Sequence, residues 1–353
     1  MGSLWFLMKK EEINELLNHG KFPCSCTDRA LIETHISWVI VCNEHVFKIK
    51  KPLQYSFLDF STIEKRGYYC KQEVILNNRL PGGIYLGTVP VVKYKGRFVI
   101  SRLPQGPVVD HAVMMKRIDG QKRMDIMLKS DKVTESHIAD IVKTLVRFHQ
   151  HTERIYNRDH FGVQHDFDDI GAERNYLYDL LGKNAADIIG KALKRSSDFI
   201  NAHSHVVERR SRQGFVRDCH GDLHSRNIFL CKEPIIFDCI EFNPEIRQID
   251  ILSELAFFCM DMEAFGFGHF GRIFITRYND LFEVMPGEEE ERLFLYYKAY
   301  RANVRAKVNA LRTKGALGRQ LKKAKSECRK YLQLMHGYMD QLDKHGLRNH
   351  RFK

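Results

Sequence analysis

The sequence predicts an α+β chain of two lobes: a small antiparallel sheet with one helix, then a larger, mainly helical part. Three observations predict it. Short β-branched and aromatic runs crowd the first third, at residues 29–51, 85–92 and 97–103, and such runs bounded by turn residues read as strands. The stretch "LPQGP", residues 103–107, then breaks the pattern. Beyond it, apolar residues recur three and four apart, first at Ile138, Ile141, Val142, Leu145 and Phe148, the period of a helix with one buried face. The lobes are therefore expected at residues 1–104 and 105–353, with a linker at 104–107.

Within the first lobe, "RALIETHISWVIVCNEHVFKIKK" holds two apolar runs separated by "CNEH" and reads as a hairpin. In its second run, "HVFKIK", strict alternation puts Val46, Lys48 and Lys50 on one face and Phe47 and Ile49 on the other. A lysine on the inner face of a half-buried strand requires a partner. The next stretch, "STIEKRGYYCKQEVILNNRL", has helical spacing, with Tyr69, Leu76 and Leu80 on one face and Glu73 on the same stripe. An inward acid is the natural partner for an inward lysine. Lys50 shares the face of Lys48 and competes with it through a two-residue slip of register, whereas Lys51 points the other way. Glu64 competes with Glu73, but lies near the helix start, where an acid is expected for dipole reasons alone. The runs "YLGTVPVV" and "RFVISRL" complete the small sheet.

In the second lobe the helical pattern runs to Val207 and is then interrupted by "CHGDLHSRNIFL", residues 219–230. Its polar groups are too dense for a core strand and its apolar end too short for a helix, so it reads as a loop entering a strand. The runs "RNIFLC" and "PIIFDCIEF" then pair about a short turn at Lys232 and Glu233, after which helices resume. The segment "GFGHFG", residues 266–271, fits a dinucleotide-binding glycine pattern to the letter. It follows a helix rather than a strand and lacks a βαβ setting, so an interhelical turn is expected.

The interrupting loop carries the chemistry. Asp222 precedes Asn227 by five residues, and Asp238 ends the apolar run "PIIF" eleven residues later. Oxygen donors converging from neighbouring strand ends suit Mg²⁺, which keeps several waters and completes its shell with substrate phosphates. The spacing H-x-D-x-x-x-x-N is that of a phosphoryl-transfer catalytic loop, in which the Asp orients and deprotonates the acceptor hydroxyl while the Asn and the later Asp hold the metal. The inward strand Lys48, the helix Glu73, the linker, the loop and Asp238 follow one another in the order this chemistry needs. His220 is expected to brace the loop and His224 to make a structural hydrogen bond. Asp250 is expected to anchor the loop backbone; Glu241 is left between a supporting contact and solvent.

Bulk properties exclude several classes. The chain has 353 residues, 44% hydrophobic and 28% charged, enough for two real cores and unlike a disordered chain. No apolar run reaches the length of about 18 residues needed to span a bilayer, and the start "MGSLWFLMKKEE" lacks a cleavable export signal. Gly2 does not open a myristoylation site, because Phe6 stands where Ser or Thr is needed. The odd count of nine cysteines, scattered through apolar stretches, points to reduced thiols in the cytoplasm. Cys24 and Cys26 lack zinc spacing and a second pair.

These stretches together resemble the aminoglycoside phosphotransferase family, a branch of the protein-kinase-like fold. They resemble most a bacterial subgroup of uncharacterised aminoglycoside phosphotransferase-like proteins often fused to a P-loop ATPase. "ETHISWVIV", "VFKIKKP", "FLDFSTIEKR", "VRDCHGDLHSRNIFL", "FDCIEFNPEIRQID" and "YYKAYRANVRAKV" carry the resemblance, across residues 33–308. It implies ATP and Mg²⁺ as cofactors, Asp222 as base, Asn227 and Asp238 as metal ligands, and Lys48 with Glu73 at the phosphates. It also implies the turn from Thr34 to Ser37 over the nucleotide and the backbone of Ser101 to Leu103 against the adenine. Three departures stand out: the sequence has no G-x-x-x-x-G-K-[ST] loop, Glu254 stands where the subgroup tends to show Asp, and no Gly-rich loop precedes Lys48. The hydroxyls of "THIS" are expected to substitute for that loop.

The basic charge is unevenly placed. Of a formal +12, residues 292–353 carry 17 Lys or Arg against three acids, a local +14 that leaves −2 on residues 1–291. This tail would attract an anionic partner such as RNA by long-range electrostatics, or form a solvated face. Lys298, Arg301, Arg305 and Arg312 fall on one helical face, and Leu293, Tyr297, Tyr300, Val304 and Leu311 on another. A helix that docks by the second face and presents the first favours an anionic small-molecule acceptor over a cationic one. The expected activity is transfer of the ATP γ-phosphoryl group to a hydroxyl; the alternatives are transfer of AMP on the same fold and a non-catalytic nucleotide- or RNA-binding protein.

Overall fold

The structure is a computed structural model and describes residues 8–55, 57–156 and 162–349. Gly2 and Phe6 lie outside the described residues. The chain divides into two compact units, one running through Met127 and resuming at Arg226–Arg247, the other made of Leu128–Ser225 and the chain from Gln248 onward.

The first unit is built on a six-stranded antiparallel sheet in the order Ala30–Glu33, Ser37–Val41, His45–Lys50, Val108–Lys116, Tyr85–Tyr94, Arg97–Ile100. The expected hairpin of residues 29–51 is thus three strands, with a turn at Thr34–Ser37 as well as at the "CNEH" site. The expected boundary at residue 104 is displaced. Val108–Lys116 inserts between His45–Lys50 and Tyr85–Tyr94, setting Lys48 opposite Val113. Its "VVDHAVMMK" is nearly continuous in burial rather than alternating, as befits a strand paired on both sides, and so offered no period-two signal. The unit also takes in the short hairpin Ile228–Leu230 and Pro234–Ile236.

Alternation along His45–Lys50 divides two cores. Phe47 and Ile49 are fully buried with Met8, Ile13 and Leu16, the last two from the helix Lys10–His19. Val46 packs instead with Cys70, Tyr85, Val113 and Ile235 on the opposite face. That face is covered by the helix Ile63–Asn77, capped by the Thr62 hydroxyl, which accepts from the Lys65 N–H at 3.3 Å. The inward stripe of this helix is Arg66, Cys70, Glu73, Leu76 and Asn77. Tyr69 is only partly buried, and Leu80 is buried beyond the helix end. Gly67 lets the helix approach the sheet, since a Cβ there would lie 2.8 Å from the His111 ring.

The second unit is mainly helical, as expected. The helix Ile251–Ala264 is buried along most of its length, and packs with Gly268–Leu281 and Glu288–Thr313; the last also packs against Gly318–Asn349. Within "GFGHFG", Gly266 at φ +84° lies in the turn that follows Ile251–Ala264, and residues 268–271 already belong to the next helix. Val216–Asp218 and Gln248–Asp250 form a small antiparallel pair leading into and out of the loop and hairpin segment. Cys26 and Cys42 form a disulfide, with Cα atoms 4.7 Å apart, which corrects the expectation of reduced thiols throughout. Cys24 and the six other cysteines are not in disulfides. Among the described residues no helix is long and apolar enough to cross a membrane.

One buried ion pair fastens the second unit. Arg210 donates to both carboxylate oxygens of Asp250, at 2.7 and 2.9 Å, and to the Val284 carbonyl, and its side chain is 1% exposed. Asp250 also caps Ile251–Ala264 through the Leu252 N–H at 2.8 Å. Removal of one partner strands a buried charge. Arg210→Ala is expected to lower unfolding free energy by about 3–5 kcal/mol, measured by chemical denaturation against the wild type.

Candidate active site

The predicted residues fall into two groups, one in each compact unit. In the first, Lys48 donates to Glu73 Oε1 at 2.8 Å and to Asp238 Oδ1 at 2.5 Å. Lys50 donates to Glu73 Oε2 at 2.7 Å and to Glu241. The result is a chain of alternating charge, Asp238–Lys48–Glu73–Lys50–Glu241. Strand alternation thus brought both rival lysines to Glu73, and their second partners distinguish them. Lys48 reaches Asp238, whose side chain is 43% exposed, while Lys50 is wholly buried. Lys51 turns away to Glu33 and the Thr34 carbonyl, both at 2.8 Å. Glu64 is exposed at the helix start, where its own backbone N–H draws its carboxyl down.

The electrostatics follow from the burial. Burial pushes Glu73 up, but Lys48 and Lys50 outweigh it and bring its carboxyl down to about 2. Burial also disfavours charge on Lys48, yet Asp238, Glu73 and Glu241 hold its ammonium well above the ordinary lysine range. Glu241 is pushed up, first by burial and next among the raising influences by Glu73. The sequence did not decide its place, and the structure sets it in the buried chain.

Asp238 is placed by the hairpin. The ladder Ile228↔Ile236 continues into a bond from the Phe237 N–H to the Asn227 carbonyl at 3.0 Å, so Asn227 and Asp238 emerge at the same end. Asn227 is 6% exposed. Asp238 sits in the left-handed region at φ 64°, a conformation costing on the order of 1 kcal/mol for a non-glycine residue. Neighbouring bonds hold it there: the Asp238 N–H donates to the Tyr85 hydroxyl at 3.0 Å and the Cys239 N–H to Asn77 Oδ1 at 2.9 Å. Asn77 in turn donates to the Glu73 carbonyl at 2.8 Å, so one helix positions Glu73 and the backbone beside Asp238.

The turn over which a nucleotide was expected is closed by its own bonds and by Lys51, whose ammonium reaches the Thr34 carbonyl. The Thr34 hydroxyl accepts from the Ser37 N–H at 2.9 Å and donates to the Ser37 carbonyl at 3.0 Å, and Ser37 is fully buried. These two residues therefore bond to each other rather than to Lys48 or Glu73. The Ser101 N–H donates to the Pro90 carbonyl at 3.3 Å, the Leu103 N–H to the Ser101 hydroxyl at 3.2 Å, and the Leu103 side chain is 84% exposed.

In the second unit, Glu254 holds the loop that carries Asp222. Its carboxylate accepts from the His220 N–H at 3.0 Å and the Gly221 N–H at 2.7 Å, and its Oε1 pairs with His149 Nε2 at 3.0 Å. The anchor expected of Asp250 is therefore made by Glu254, one helical turn further along Ile251–Ala264, and Asp250 serves Arg210 instead. Asp261 accepts from the Ser225 N–H at 2.8 Å. His220 Nδ1 accepts from the Asp222 N–H at 3.2 Å, bracing the loop as expected. Asp222 pairs with His224 at 3.3 Å, and Arg305 lies 3.4 Å from the same ring. Burial pushes Asp222 up, but His224, Arg305 and His220 together draw it far below the usual carboxylate range, so it stays ionised at neutral pH.

The basic stripe corrects an expectation. Arg301 and Arg305 are 2% and 5% exposed; Arg301 donates to the Ser253 carbonyl at 3.1 Å and the Gly221 carbonyl at 3.3 Å. Lys298 pairs with Glu263. Of the four, only Arg312 is exposed, so the helix does not present a basic wall, and the anionic acceptor inferred from it loses its basis. The i, i+4 arginines of "RANVR" were a signal for this inward role, misread because charge was assumed to face solvent. His149, Cys219 and Glu254 bring three ligand atoms within 4.8 Å of one another, but Glu254 is taken up by His149 and the loop N–H groups.

The chain that carries this buried ion-paired lysine beside a left-handed Asp, and a separate loop whose backbone is held by a buried glutamate, is of the phosphotransferase type by its family match. The chain belongs to the phosphotransferase enzyme family, whose model matches residues 88–294. It is 30% identical over 290 residues to uncharacterized proteins of Mycobacterium tuberculosis (strain H37Rv) and Mycobacterium bovis, covering 79% of this chain. The chain spans about half the length of these curated relatives, 54%. Its fold is shared with a choline kinase from Cryptosporidium parvum, at 14% identity and a TM-score of 0.51 over 89% of this chain and 90% of that one.

The loop anchor sets an acid limit on stability. Glu254 is drawn down to about 2 from its ordinary 4.5, against burial, by His149, His220 and the Gly221 N–H. A depressed carboxylate stabilises the fold fully above its unfolded value and loses that contribution as pH falls through the folded one. Between pH 4.5 and 2 the wild type is expected to lose on the order of 3 kcal/mol more than Glu254→Gln, read from denaturant midpoints across that range.

Proposed function

We propose that the protein transfers the γ-phosphoryl group of ATP, with Mg²⁺, to a hydroxyl of a small-molecule acceptor. The observation that carries this reading is the single lysine, Lys48, bonded to both a helix glutamate and the hairpin aspartate. In this reading Lys48 neutralises α- and β-phosphate charge, and Glu73 fixes its rotamer. Asn227 and Asp238 are the metal ligands. Their fit rests on chemistry present here: three carboxylates, of Asp238, Glu73 and Glu241, share two ammonium groups, an excess of negative charge that suits a hard cation. Asp238 is the exposed member, with oxygen donors that Mg²⁺ prefers. Bound magnesium would supply charge neutralisation on the transferring phosphates.

Asp222 is proposed as the residue that orients the acceptor hydroxyl and takes its proton. An aspartate held ionised by His224 and Arg305 is ready as an acceptor at neutral pH, while Glu254 and Asp261 fix the loop so that little ordering remains for the reaction. Thr34 to Ser37 is proposed to cover the nucleotide and the backbone of Ser101 to Leu103 to meet the adenine. A cytoplasmic setting, where ATP is available, belongs to the same proposal. So does membership of the subgroup often fused to a P-loop ATPase.

The test is phosphotransfer from labelled ATP across a library of hydroxyl-bearing metabolites. Asp222→Asn is expected to cost on the order of 10²–10⁴ in rate, and Asp238→Asn to abolish turnover through loss of metal. An Asp222→Asn enzyme turning over its acceptor at the wild-type rate refutes the assignment of the base. A product heavier by AMP rather than by one phosphate refutes the γ-phosphoryl reading.

A further inference from the structure

The canonical reading needs one lysine, and the strand supplies two. Lys50 is wholly buried, and so is Glu73 between the two amines. Lys50 is matched by a third buried acid, Glu241, whose side chain is 3% exposed. Burying a second charge pair beside the first is costly unless every member is satisfied, and a hydrophobic pair of similar size would fill the space. Two facts indicate what the extra pair does. Each oxygen of Glu73 is held by a different lysine, so its orientation is fixed from both sides. Glu241 lies three residues after Asp238 on the segment leaving the hairpin, so Lys48 and Lys50 clip that segment to the strand at two points, Asp238 with its left-handed backbone and Glu241.

We propose that Lys50 and Glu241 form a positioning pair, which keeps Glu73 and the Asp238 segment in place when Lys48 gives up its bond to Asp238 for a nucleotide phosphate. The inference rests on the reading above. In this structure Lys48 bonds Asp238 directly, so phosphate and metal must each replace one side of that bond. Without Lys50, Glu73 would follow Lys48 through the exchange. With Lys50 holding Oε2, Glu73 stays still and offers Oε1 as a fixed point about which Lys48 turns. Glu241 supplies the second carboxylate that keeps the chain balanced, and touches neither phosphate nor metal.

The decisive comparison is between ATP and adenosine, because only ATP carries the phosphates that Lys48 would meet. Glu241→Gln is expected to raise the MgATP dissociation constant about tenfold by calorimetry while leaving adenosine affinity within twofold, with Lys48→Met as the reference for loss of the phosphate contact. Should the single variant fail to fold, Lys50→Met/Glu241→Met removes both charges, leaves none of the pair stranded, and carries the same expectation. Folding of each variant is followed by its unfolding midpoint. Equal loss of ATP and adenosine affinity, or an unchanged MgATP constant in a folded variant, overturns the positioning role. A wild-type protein that binds adenosine but gains nothing from the triphosphate instead overturns the phosphate reading on which it rests.

Discussion

The carboxylate of Glu73 cannot stand alone. It is wholly buried, and an isolated ionised carboxylate in such a place would take up a proton rather than remain charged. It remains charged because two ammonium groups approach from one strand, one on each oxygen. That requirement fixes much else. The helix Ile63–Asn77 must face the strand His45–Lys50 closely enough for side chains four bonds long to meet it, so Gly67 is needed where the helix crosses His111. The strand must be inner rather than edge, which Val108–Lys116 ensures by pairing on its other side. The acids that balance the lysines must come from a hairpin far along the chain.

The loop carrying Asp222 solves a related problem in the opposite way. There the buried acid, Glu254, is balanced by His149 and His220 together with the loop's backbone N–H groups. Backbone donors cannot move away as side chains can, so the loop is held by directional bonds while the first unit is held by charge. A glutamate at this position, where the resembled subgroup tends to show an aspartate, reaches both N–H groups, so the extra methylene did not lose the contact. Arg301 adds a donor to the Gly221 carbonyl from a third element, so Gly221 is bonded on both its N–H and its C=O side.

Much of this was legible in the sequence because it rests on period and order. Alternation in "HVFKIK" placed both lysines on one face, helical spacing placed Glu73 toward them, and the H-x-D-x-x-x-x-N spacing located Asp222 and Asn227. The misreadings of charged residues share one cause: buried polar residues do not announce themselves by pattern. Arg301 and Arg305 were read as an outward stripe because charge was taken to mean solvent, and Glu241 could not be decided because its partner lies 191 residues away. The strand Val108–Lys116 escaped for a different reason. Paired on both sides and buried along most of its length, it shows an apolar run that a helix could show equally well.

The first unit is discontinuous, and this bears on how the chain comes together. Residues up to Met127 contain the whole six-stranded sheet, yet not Asp238 or Glu241. During synthesis the early portion can close its sheet and still hold two amines around one carboxylate, an uncompensated positive interior. Completion waits for more than a hundred further residues, most of them helical and belonging to the other unit. The early portion is therefore no self-sufficient module: cut from the chain at Met127, it would hold two amines against one carboxylate in its core, without the acids that balance them.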